Sequence, residues 1–176
     1  MSLRYLAAYP PALQARAHEL LAANRVGPML LEKYPCAHGV RTDGALYAYV
    51  MELKAEFLRS SEPLSKVAWD SKLHVIRNAL GTHTTVSRVQ GGRLKAKREI
   101  RIATLFRDAP PEFLRMIAVH ELAHLREREH DKAFYQLCLH MEPRYHQYEF
   151  DLRLYLAHMD AHGKLDWSAS RAGTPA

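Results

Sequence analysis

Cysteine is nearly absent. The chain holds two, Cys36 and Cys138. That is too few for a disulfide framework or a Cys-rich zinc site, so reduced thiols are the simpler reading. No apolar run approaches the roughly 20 residues that a membrane span needs. The first residues also lack the charged, then apolar, then small-residue order of a secretory signal. A cytoplasmic location with no membrane partner is the default expectation. No internal repeat is evident. Acidic residues are fewer than basic ones, 19 against 25, for a net charge of +6. That surplus invites an anionic partner without requiring one. The 176 residues, 48% of them hydrophobic, fit one domain with a sizeable core.

One stretch organises the rest. Residues 113–130 read FLRMIAVHELAHLREREH and contain the pentapeptide His120-Glu121-Leu122-Ala123-His124. Histidines four apart on a helix project from one face, one turn apart, so both imidazoles can reach a single metal ion. Glu121 is then placed to take a proton from a water activated by that metal. From Phe113 to Leu125 only Arg115 and the three motif residues interrupt an apolar sequence. A helix apolar nearly all round is buried. Two histidines and a carboxylate buried without partners would be costly, and a metal ion satisfies all three.

A catalytic zinc has three protein ligands and keeps one position open. His130, six residues past His124, is the best-placed third ligand, with Glu142 and Glu149 as rivals. The spacing matches that of metzincin proteases, which turn the chain with a glycine where this sequence has Glu127. The backbone path must therefore differ here.

The flanks divide into a helical and a strand-bearing part. Residues 11–23, 26–34 and 42–59 read as three helices, the last capped by Thr42 or Asp43. They hold no catalytic cluster, and His18 and His38 read as surface residues. Short strands are expected at 67–69 and 73–76. A hairpin follows, with strands 82–90 and 96–106 about a Gly91-Gly92 turn. In the second strand Ile100, Ile102, Thr104 and Phe106 alternate with Glu99, Arg101, Ala103 and Leu105, the period of a half-buried strand. Asp108 or a neighbour should open the motif helix, with Pro110 and Pro111 in its first turn. Asp131 caps a helix at 132–141, and a last helix spans 145–158. His158 and His162 read as surface residues. The hairpin carries Arg88, Arg93, Lys95, Lys97, Arg98 and Arg101. This cluster suits phosphates of a nucleotide or nucleic acid, but the bland alternative is a solvated edge strand that resists aggregation. Without interleaved aromatics, nucleic-acid binding is not favoured. Tyr145 and Tyr148 are placed to donate to a developing oxyanion, but on an amphipathic helix such aromatics more often belong to the core.

The run His120 to Leu125, then His130-Asp131-Lys132-Ala133-Phe134-Tyr135, then Pro143 and Tyr145, resembles the YgjP-like metal-dependent hydrolases, relatives of the SprT-like and other zincin-fold peptidases. The resemblance implies an α+β zincin fold with ligands His120, His124 and His130 and base Glu121. It leaves the substrate class open: the fold suggests peptide hydrolysis, and members have also been regarded as nucleotide pyrophosphatases. Typical members carry an Arg-Trp-Gly-Ser-Cys segment where residues 85–90 here read TVSRVQ.

The expectation is thus one α+β domain over 1–176: an N-terminal helical part (1–60), a zincin-like core (64–160) with a small, mainly antiparallel sheet beside the motif helix, and a loose tail (161–176). It should be a zinc-dependent hydrolase with one zinc per chain, a metallopeptidase that uses a metal-activated water and a glutamate base on polypeptide held along strand 96–106. The alternatives are a nucleoside triphosphate pyrophosphatase and a non-enzymatic zinc module that binds nucleic acid.

Overall fold

Helix α4 (Pro111–Ala123) forms because ten of its thirteen residues are apolar or motif residues driven inward, and all ten are buried. A computed structural model describes residues 4–73, 81–90 and 93–168, and the backbone alone for 81–90 and 93–97. Before α4 come α1 (Pro11–Ala22), α2 (Val26–Lys33), α3 (Asp43–Phe57), β1 (Leu64–Asp70), β2 (Gly81–Gln90) and β3 (Arg93–Ala103). After it come α5 (Lys132–Met141) and α6 (Tyr145–His162). The architecture is α+β.

The helix starts follow from their caps. Thr42 Oγ1 accepts from Ala45 N–H at 3.1 Å and opens α3. Asp43 does something else: its Oδ1 accepts from Trp69 N–H at 2.9 Å, tying α3 to β1. Asp131 caps α5 by accepting from Phe134 N–H at 3.0 Å. Asp108 does not open α4. It lies in a 3-10 turn, Thr104–Asp108, and pairs with Arg41 at 2.6 Å. The fixed φ of Pro110 and Pro111 starts the helix instead.

The sheet corrects one expectation. Its order is β1-β3-β2. β2 and β3 form the antiparallel hairpin, with Val86 opposite Lys97. β1, however, runs parallel to β3, with Val67 opposite Ile100 and Trp69 opposite Ile102. The sheet is mixed rather than mainly antiparallel, and β3 is its central strand with both edges paired. Alternation along a strand shows which face is buried but not the direction of its neighbour. β3 also ends at Ala103, earlier than the pattern suggested, and Phe106 is buried from the 3-10 turn. The expected strand at 73–76 falls almost wholly outside the described residues, as does the Gly91-Gly92 turn.

One hydrophobic cluster runs from Tyr5 and Leu6 through Leu30, Val50, Ile100 and Phe113 to Trp167. Helices α1 and α2 pack on α6, and α3 packs on β1 and α4. Two surface assignments fail, and so does part of the loose tail. His38 stacks on Trp69 with ring centroids 6.1 Å apart, donates from Nε2 to Phe106 C=O at 2.6 Å and accepts from Val40 N–H. His158 is buried on α6 beside Gly27. The tail is not loose from residue 161. Helix α6 runs to His162, whose Nε2 donates to Leu21 C=O, and Trp167 is buried between Phe113 and Tyr155. Residues 169–176 lie outside the described residues. Among those described, no helix is long and apolar enough to cross a membrane.

Candidate metal centre

Helix α4 delivers His120 and Glu121 from its last turn, and His124 is the residue that ends it. The chain then folds back tightly. Leu125 and Arg126 N–H donate to Leu122 and Ala123 C=O, and Glu127 N–H also donates to Ala123 C=O. No glycine is needed for this path: among the described residues Asn24 is the one non-glycine residue with positive φ, so Glu127 has an ordinary backbone. Its carbonyl accepts from His124 Nδ1–H at 2.9 Å. The loop then brings His130 over the helix end.

The three Nε2 atoms form a nearly equilateral triangle. His120 to His124 is 3.3 Å, His124 to His130 is 3.1 Å and His130 to His120 is 3.1 Å. A tetrahedral ion about 2.0–2.1 Å from each nitrogen would set them about 3.3–3.4 Å apart, so the donor set fits a divalent metal with a small outward adjustment. Among the described residues, this is the group whose donor atoms converge so.

Electrostatics favour the same reading. Burial holds His120 well below the usual imidazole range, helped by its neighbours His124 and His130. Burial also lowers His124. A neutral imidazole is the form that ligates. Glu121 is 1% exposed, and neither of its carboxylate oxygens has a hydrogen-bond partner. Burial pushes its carboxyl up to about 8. A buried carboxylate without partners is costly unless a charge or substrate meets it.

The rival ligands lie elsewhere. Glu149 is bound by Arg153 at 2.9 Å. Glu142 pairs with Arg115 at 3.5 Å and accepts from Arg144 N–H. Of the six hairpin cations, Arg98 pairs with Glu62, and Arg101 lies 3.4 Å from Asp70 and 3.5 Å from Glu99. The side chains of Arg88, Arg93, Lys95 and Lys97 lie outside the described set.

Two contacts of the centre escaped sequence reasoning, which weighed Tyr145 as an oxyanion donor and Phe134 as core. Phe134, fully buried on α5, contacts all three imidazoles, with ring centroids 4.9, 4.6 and 4.8 Å from His120, His124 and His130. Tyr145, at the start of α6, places its Oη 2.7 Å from His120 Nδ1. Both look like core aromatics of amphipathic helices in the sequence. The one available signal was that each lies in the run carrying the family resemblance.

The family model of the YgjP-like metallopeptidase domain matches residues 67–155, from within β1 to within α6, half of the chain. The chain belongs to the YgjP-like family. A relative from Escherichia coli (strain K12), a UTP pyrophosphatase, is 58% identical over 158 residues, which cover 90% of this chain and 95% of that protein. No solved structure matches. This YgjP-like chain is a metal-dependent hydrolase, and its three converging imidazoles suit the divalent metal the family implies.

Proposed function

We propose that this protein is a zinc-dependent nucleoside triphosphate pyrophosphatase acting on UTP, cleaving it to UMP and pyrophosphate. The observation that carries the reading is the 58% identity to a UTP pyrophosphatase across 95% of that protein. The proposal takes the chain as one zincin-like domain, with α1–α3 packed on its catalytic part. A nucleotide substrate implies a cytoplasmic setting.

His120, His124 and His130 would hold the zinc, their Nε2 atoms being the ones that converge. When bound, the ion acidifies a water and offsets phosphate charge. Glu121 is the general base. Its carboxylate has no competing hydrogen bond, and a neighbouring cation lowers the pKa that burial raises. It accepts the proton of the water that attacks the α-phosphorus. The bond from that phosphorus to the bridging oxygen breaks, and pyrophosphate leaves.

Peptide hydrolysis is the second reading, favoured by the family's description as a metallopeptidase domain. Most of the expected platform is occupied, because β3 is paired on both edges over residues 98–102 and offers no free backbone to a peptide there. An extended peptide would need an outer strand instead, and α4 packs against β2 as well as β3.

The test is UTP hydrolysis by zinc-loaded protein, with separate assays for pyrophosphate and orthophosphate. One pyrophosphate per UMP is expected. Glu121→Gln should keep the metal and lose about 10²- to 10⁴-fold in rate, the usual worth of a general base. Glu121-dependent cleavage of an unfolded polypeptide, with no pyrophosphate released, would replace this reading with the peptidase one.

A further inference from the structure

Each imidazole of the triad faces a choice of tautomer. To offer Nε2 as a lone pair, a neutral histidine must carry its proton on Nδ1. For His124 the choice is made by the fold. Its Nδ1 faces the carbonyl of Glu127, which can only accept, so the proton must sit there. His120 is different. Its Nδ1 faces the hydroxyl of Tyr145 at 2.7 Å, and a hydroxyl can either donate or accept. In one arrangement Tyr145 donates to Nδ1, which puts the imidazole proton on Nε2 and spoils the ligand. In the other, Nδ1–H donates to Tyr145 Oη and Nε2 is free.

Burial bears on the choice. Tyr145 itself is 0% exposed and stacks near His120, ring centroids 6.4 Å apart at 19°. Water therefore has no access to replace the missing partner of either group.

We infer that Tyr145 is a positioning residue of the metal centre: its Oη accepts a hydrogen bond from His120 Nδ1–H, which fixes His120 in the tautomer that ligates through Nε2. The inference rests on the proposed metal role of the histidine triad but not on the substrate. Tyr145 touches neither substrate nor reacting atoms. Its effect runs through His120.

The experiment measures zinc affinity by competition with a chromogenic chelator, on the full chain, without any activity assay. Wild type, His124→Ala and Tyr145→Phe are compared. His124→Ala tests the triad itself, and its failure to weaken zinc binding would overturn the metal reading. Tyr145→Phe keeps the ring and removes the oxygen, leaving a buried Nδ1–H with no acceptor. Loss of an outer hydrogen bond to a ligating histidine costs about 10- to 100-fold in metal affinity, and that loss is expected here. Normal zinc loss in His124→Ala with unchanged affinity in a folded Tyr145→Phe would overturn the Tyr145 inference alone. A readout on the wild type covers the case in which Tyr145→Phe does not fold. In long-range ¹⁵N–¹H imidazole spectra of the zinc-loaded chain, the His120 Nδ1 proton should be resolved and slow to exchange. A His120 Nδ1 proton that exchanges as fast as that of a free imidazole would overturn the inference.

Discussion

Replacing Phe134 with alanine should damage stability and metal binding together. Phe134 has no exposed surface, and removing a fully buried phenylalanine costs about 3–5 kcal/mol through lost burial and the cavity left behind. That is a large share of the roughly 5–15 kcal/mol that holds a typical domain folded. With a urea dependence of about 2 kcal/mol per molar, the midpoint for metal-free protein should drop by about 2 M. The second effect is specific to this site. The ring touches all three imidazoles, at 4.6–4.9 Å between centroids. Its loss frees them to rotate, so part of the metal's binding energy must now order them. Zinc at 100 times its dissociation constant adds about 2.7 kcal/mol to a folded chain. For Phe134→Ala the same zinc concentration should add less, because the dissociation constant has risen. Urea melts with and without zinc, together with chelator competition, measure both effects. A variant that loses stability but binds zinc as tightly as wild type would show that Phe134 only fills space and that the triad orders itself.

Three further outcomes follow from the same geometry. His130→Ala should weaken zinc binding, whereas Glu149→Ala should leave it intact yet lower the melting temperature modestly, since half-buried Arg153 loses its carboxylate partner; the reverse pattern in a metal titration would restore Glu149 as the third ligand. Gly27→Ala should destabilise by about 1–3 kcal/mol, because its Cβ would sit 2.9 Å from His158 Cε1 and 3.0 Å from Leu165 Cδ2; an unchanged melting temperature would refute the tight packing there. Burial lowers the pKa of both His38 and His158 from near 6.5, so each stays neutral in the fold but gains a proton on unfolding. Their contribution is full above pH 6.5 and is lost as pH falls below it, so denaturation between pH 7.5 and 5 should show a fall that shrinks in a His38→Gln/His158→Gln double variant.

What could be read from the sequence was whatever local chemistry makes costly. His120 and Glu121 stand in a run too apolar to face water, so their need for buried partners was visible before any contact was known. The caps Thr42 and Asp131 were visible for a similar reason, because a helix start leaves N–H groups that a nearby oxygen must satisfy. The parts that stayed hidden depend on partners distant in the chain. Nothing near His38 announces Phe106 C=O or Trp69, and nothing near His158 announces Gly27. Trp167 sits in a polar tail, yet it fills a gap between Phe113 and Tyr155; a lone large aromatic in such a segment was the signal to follow. The parallel pairing of β1 with β3 left no trace, because a half-buried strand alternates in the same way beside either kind of neighbour.

The burial gradient across the triad sets the direction from which a substrate can come. His120 is buried, His124 is intermediate and His130 is exposed. Phe134 and Tyr145 close the deep side, and Glu121 lies below with 1% exposure. The reacting group must therefore arrive over His130. Exposed Arg126, Arg128 and Lys132 lie within four residues of it, whereas Arg98 and Arg101, nearer the sheet, already face carboxylates. A triphosphate carries charge that a peptide bond does not, and it must be met by cations not already neutralised. The loop from Arg126 to Lys132 swings the third imidazole over the helix end and carries three exposed cations, Arg126, Arg128 and Lys132, interleaved with Glu127, Glu129 and Asp131. On the reading proposed above, these cations are the ones that would meet a triphosphate, whereas a peptide would need a free strand edge, which residues 98–102 of β3 do not offer.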